Sequence, residues 1–201
     1  MRVLIVFNHP YEHSFCNAIL KSVQFGLRSA GHEVDLIHLD NDNFDPVMRA
    51  KDLKAFAVAR SNPDLALEML DDQVIEYKAR ITAAQHIIFI FPIWWELMPA
   101  LMKGFIDKLI FPGISYGYKG NRMVSTLDKL SGVTMITTMN TPSFAYNLLF
   151  GNAIKKAMLL GTFWKIGIKN RKWVNLSSVK SASDKQRTLW LEKISADISK
   201  L

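Results

Sequence analysis

One cysteine among 201 residues, Cys16, excludes an intramolecular disulfide and any multi-cysteine zinc or iron–sulfur centre, and fits a reducing compartment. Long apolar runs are also missing. The stretch ahead of Asn8 is apolar only from Val3 to Phe7, too short for a signal-peptide core or a membrane span. A cytoplasmic protein with no stable membrane insertion is therefore expected. Acidic residues are scarce at one end: residues 151–201 hold 11 Lys/Arg against 3 Asp/Glu, whereas residues 1–150 hold 14 against 15. Such a basic quarter attracts nucleic acid, anionic membrane surfaces or phosphate-bearing cofactors. No zinc-finger or other nucleic-acid signature accompanies it, so a solvated basic surface is the plainer reading and no nucleic-acid partner is expected.

Several nucleotide and phosphate motifs are absent too. The loop after the first apolar run contains neither a Walker A sequence nor the GxGxxG of a dinucleotide-binding strand. A low-molecular-weight phosphatase loop needs an arginine six residues after its cysteine, and Ser22 stands six after Cys16. Against these absences, hydrophobic residues make up 49% and charged residues 21%, a globular composition that suits one domain over 1–201.

Residues 2–8 are a nearly continuous apolar run rich in β-branched residues, as in a strand buried on both faces. From Ser14, a candidate N-cap, to Ala30 the apolar spacing is helical, with Gly31 as the stop. Residues 33–40 alternate like an edge strand, 47–70 show no clear pattern, and 71–85 read as a helix leading to a strand at 86–91. Pro99 suits a first helical position, and the helix after it carries one apolar stripe from Leu101 to Ile110. Strands at 132–139 and 172–179 follow, with helices at 147–160 and 183–200. Five strands alternating with helices predict an α/β fold with a doubly wound parallel sheet, whose ligands bind beyond the strands' carboxyl ends.

Three segments occupy those ends. "NHPYEHSFC" runs into a helix N-terminus, where free N–H groups favour an anion, with His9 and Ser14 as further donors. A loop histidine bonded to backbone explains His9 equally well. "PIWWEL" places Trp94 and Trp95 at the rim; a tryptophan pair is commonly core, but the position favours a platform for a planar heteroaromatic ligand. "TTMNTP" offers Thr137, Thr138 and Asn140 as polar contacts, although threonines also simply end strands.

The stretches "LIVFNHPYEHSFCNAIL" and "FIFPIWWELMPALMKGFIDKLI" together resemble the flavodoxin-like NAD(P)H:quinone oxidoreductase family, which includes NAD(P)H dehydrogenase (quinone) and modulator of drug activity B-like proteins. The resemblance implies a three-layer αβα sandwich with a five-stranded sheet in the order 2-1-3-4-5, and hydride transfer from NAD(P)H through bound flavin to a quinone-like acceptor by a ping-pong route. It implies that His9, Ser14, Phe15 and Cys16 hold the flavin's phosphate end, Cys16 standing where the family usually has asparagine. Pro92, Ile93, Trp94, Trp95 and Glu96 line the isoalloxazine ring, with Trp95 matching the family's tryptophan and Glu96 replacing an aromatic residue. Thr137, Thr138, Met139 and Asn140 match the polar loop, Met139 and Asn140 replacing glycines. Tyr146 resembles the active-site tyrosine; the histidine that accompanies it in some members has no counterpart after His86.

The phosphate loop has few hydroxyls, and Asp184 and Arg187 fall where FAD-binding relatives place an acid and an arginine, so FAD is favoured over FMN. An acid in a helix's first turn beside a surface arginine explains that pair as well. Relatives form homodimers, for which the aromatic segments 144–150 and 163–164 supply a surface. No metal is expected. The competing reading is a non-catalytic regulatory subunit whose basic quarter docks on an acidic or membrane partner.

Overall fold

The computed structural model describes residues 1–201. Five strands, β1 (Arg2–Phe7), β2 (Glu33–His38), β3 (His86–Pro92), β6 (Gly132–Thr138) and β7 (Arg171–Leu176), form one parallel sheet in the order β2-β1-β3-β6-β7. Counted along this sheet alone, that is the expected 2-1-3-4-5. Central strands β3 and β6 are buried at every position, whereas the edge strand β2 buries only Ile37, its other residues being half-buried or exposed. An antiparallel hairpin, β4 (Tyr116–Lys119) and β5 (Arg122–Ser125), stands apart from the sheet.

Alternate side chains along each strand enter opposite cores. Val3, Ile5, Phe7, Ile88 and Ile90 pack beneath α1 (Phe15–Ser29) and α7 (Asp184–Ile198). Leu4, Val6, Phe89 and Met135 pack beneath α4 (Asp72–Ala83), α5 (Ala100–Leu109) and a π-helix at Lys155–Trp164. The result is an αβα sandwich. Gly104 in α5 is dictated by close approach: a Cβ there would lie 2.3 Å from Pro46.

Several expectations need correction. The unpatterned stretch 47–70 contains two short helices, α2 (Ala50–Val58) and α3 (Pro63–Glu68). Pro99 is the N-cap of α5, with extended backbone, rather than its first helical residue. The helix expected at 147–160 is two elements: α6 (Ser143–Leu148) stops before Gly151 and Asn152, both at positive φ, and the π-helix starts beyond them. Those left-handed residues interrupt the helix although its apolar composition continues.

Candidate functional site

At the carboxyl rim, the ends of β1, β3 and β6 surround a cleft of about 210 Å³. His9, Phe15 and Cys16 form one side, Pro92, Ile93 and Trp94 a second, and Thr138, Met139 and Asn140 a third. Nine of the residues singled out in sequence thus meet at one place. Val179 closes the remaining edge. The signal for it in the sequence is the same rim rule, applied to the strand ending at Leu176.

The donor side is built by α1. Ser14 is its N-cap, as expected, and Ser14 Oγ accepts from Asn17 N at 3.2 Å. The amides of Phe15 and Cys16, with no carbonyl four residues back inside the helix, have no partner within the chain. His9 Nδ1 accepts from Tyr11 N at 3.1 Å, so the neutral ring carries its proton on Nε2. Burial lowers the His9 pKa, opposed by Asp40 and by the Tyr11 contact, and favours that neutral donor. Cys16 Sγ lies 3.2 Å from Thr138 Oγ1, and burial pushes the thiol up to about 11, so it stays protonated at neutral pH.

The far wall is fixed by backbone. Ile93 N donates to Thr138 O at 2.7 Å and Met139 N to Leu176 O at 2.9 Å, so neither amide is available to a ligand. The Asn140 N–H is free, and Asn140 Oδ1 accepts from Lys180 N at 3.0 Å. Trp94 faces His9 edge-on with ring centroids 6.0 Å apart.

Other expected residues lie elsewhere. Thr137 neighbours Thr138 on a strand and therefore points to the opposite face, where its hydroxyl bonds Asn175 Oδ1 and the Trp173 indole, each at 2.8 Å. Trp95 does not line the cleft; its side chain is 98% exposed, against 46% for Trp94. The reason is a two-residue turn: Trp94 and Leu97 exchange both backbone hydrogen bonds, at 2.9 and 3.0 Å, while Trp95 and Glu96 occupy the tip with φ of 49° and 64°. This is the type I′ arrangement normally built from Asn and Gly, and the left-handed conformation costs each residue roughly 1–2 kcal/mol.

Two contacts hold that tip. Glu96 Oε1 accepts from Thr141 Oγ1 at 2.8 Å, and the Glu96 carbonyl accepts from Tyr146 Oη at 3.0 Å. Tyr146 Oη in turn accepts from Ile154 N at 3.0 Å, and its side chain is wholly buried. Burial, partly opposed by the Ile154 contact, raises its pKa. Tyr146, expected as the catalytic group, thus has its proton engaged by the Glu96 carbonyl and does not line the cleft. Asp184 and Arg187 also stay outside the cleft, Arg187 being tied to Val179 O at 3.1 Å and to Asp184 at 3.4 Å.

Residues 1–197 match the family described as flavodoxin-like fold. The chain is 32% identical over 129 residues to the ribosyldihydronicotinamide dehydrogenase-like protein traD of Penicillium crustosum, covering 58% of this chain and 46% of that one. It is 28% identical over 130 residues to ribosyldihydronicotinamide dehydrogenase (quinone) of Mus musculus, covering 59% and 55%. The chain thus spans about half the length of these two relatives. The crystal structure of Smu.1420 from Streptococcus mutans superposes over the whole of both chains, with 33% identity and a TM-score of 0.85.

Proposed function

The chain belongs to the flavodoxin-like fold family, and on that premise we propose that it is a flavin-dependent oxidoreductase moving two electrons from NAD(P)H to a quinone or similar small acceptor. The names of the fungal and mouse relatives support the reaction class. The observation that carries the reading is the cleft itself, with unpaired amides at one end, a flat apolar wall along one side and an open face.

These residues fit a flavin. The Phe15 and Cys16 amides and His9 Nε2–H would hold its phosphate end. Pro92, Ile93 and Trp94 would flank its ring, and the Asn140 N–H would face its pyrimidine edge, stabilising charge that grows there on reduction. The bound flavin would supply the hydride chemistry, serving nicotinamide and acceptor in turn at one open face, a ping-pong sequence. With Tyr146 committed and Cys16 held as a thiol, the proton that completes quinone reduction comes from water.

We take FMN as the resident form. The sequence-based preference for FAD rested partly on Asp184 and Arg187, and those side chains bond each other and Val179 instead of turning to the cleft. A single flavin-binding unit over 1–201 and a cytoplasmic setting, in reach of reduced nicotinamides, complete the reading. No helix is long and apolar enough to cross a membrane.

The active form is a homodimer. Trp95, Phe144, Leu148, Leu149 and Trp164 are exposed, Leu148 to 80%, and a second copy would remove that apolar surface from water. The deciding experiment is to purify the protein, record its visible spectrum, release the chromophore and weigh it. A yellow protein yielding FMN, bleached by NAD(P)H and recoloured by a quinone, is the expected result. A colourless protein or an inert flavin overturns it and leaves docking through the basic quarter as the working function.

A further inference from the structure

A second cavity, of about 410 Å³, lies away from the cleft and shares none of its lining residues. It opens between α2 and the C-terminal end of α5, while the N-terminal end of α5 adjoins the rim turn. Ten helical residues put these ends about 15 Å apart.

Its walls follow from an odd distribution on α2. That helix buries a carboxylate, Asp52, and leaves Leu53 59% and Phe56 44% exposed. At a spacing of three these two lie on one helical face. Ile106 of α5, the C-cap Ile110, and Tyr116 and Met123 of the hairpin complete the apolar lining. The Phe56 ring packs edge-on against Phe111, with centroids 5.5 Å apart, which anchors one wall, while Leu53 beside it stays exposed.

Neither charge at the cavity calls for a charged ligand. Asp107 is paired with Lys103, and Lys165, at the end of the π-helix, is exposed, so water meets its charge. The volume lies within the range typical of small-molecule sites. We propose that this cavity is a binding site for an uncharged lipophilic molecule of one or two rings, held chiefly by Leu53, Phe56 and the two isoleucines.

The site needs no flavin, so its test is independent of the proposed activity. Titration with N-phenylnaphthylamine, a neutral lipophile that brightens in apolar surroundings, is expected to show one saturable site per chain. Phe56→Ser should weaken binding about tenfold, the loss expected for one well-buried aromatic contact. Leu53→Trp should abolish binding by filling the mouth. Both positions are substantially exposed, and far-ultraviolet circular dichroism should confirm that the variants fold; Trp94→Ala, in the cleft, should leave the titration unchanged. The proposal falls if binding does not saturate, or if it is lost in Trp94→Ala and kept in Phe56→Ser. It also falls if the probe is excluded whenever sedimentation shows a dimer, since a second copy would then fill the cavity.

Discussion

Tyr146 Oη donates to the carbonyl of Glu96 at 3.0 Å, joining the one buried residue of α6 to the tip of the rim turn. The ring lies in the core, so the hydroxyl serves the backbone of another segment. Tyr146→Phe keeps the ring and strands both the Glu96 carbonyl and the Ile154 N–H. A loss of about 1–3 kcal/mol in urea unfolding is expected. In steady-state assays the variant should raise KM more than it lowers kcat, with an unchanged pH profile. A vanished pH limb together with a collapse of kcat would restore Tyr146 as a proton donor.

The two tryptophans should separate cleanly. Trp94→Ala removes a cleft wall and should weaken flavin binding at least tenfold, measured by quenching of flavin fluorescence. Trp95→Asn should leave flavin affinity within about twofold. Asparagine tolerates the left-handed backbone, so the monomer should gain about 1 kcal/mol while the dimer loosens, read by denaturation and by sedimentation.

Acid should destabilise the protein through His86. Its Nε2 lies 2.9 Å from Thr134 Oγ1, and burial lowers its pKa from 6.5 to about 4. Between those values the unfolded chain binds a proton that the folded chain does not. The stability this neutral imidazole supports is therefore present above pH 6.5 and is lost as pH falls toward 4, by up to roughly 3 kcal/mol. His86→Gln should flatten that part of the curve, measured by thermal unfolding across the range.

Cys16 should resist alkylation. A buried thiol with its pKa at about 11 offers almost no thiolate at pH 8. Iodoacetamide should label it only after denaturant is added, and rapid native labelling would show that the first turn of α1 opens.

The sheet was legible because strands buried on both faces must be almost continuously apolar, as Val3–Phe7 and Ile87–Phe91 are. The cleft residues were legible because the rim rule converts strand ends into a location. Which tryptophan faces the cleft was not, since Trp-Glu carries none of the Gly or Asn signals of the turn it makes, and that turn decides the direction of each indole. The tyrosine's role was hidden for a different reason: a motif fixes a position along the chain and says nothing of what covers it. The hairpin at 116–125 carries its own signal, Gly120-Asn121 between its strands.

The bond from Ile93 N to Thr138 O extends the pairing of β3 and β6 to the last residues before the rim. Two of the cleft's walls are thereby one rigid plate that cannot part. The wall opposite is different: beyond His9, the chain up to Ser14 is held by short local bonds, Tyr11 N to His9, Ser14 N to Tyr11 O and Asn17 Nδ2 to Tyr11 O. Release of a phosphate group held at the α1 amides should therefore follow the loosening of this small loop, at a rate that responds to changes at Pro10 and Tyr11 rather than to changes in the sheet.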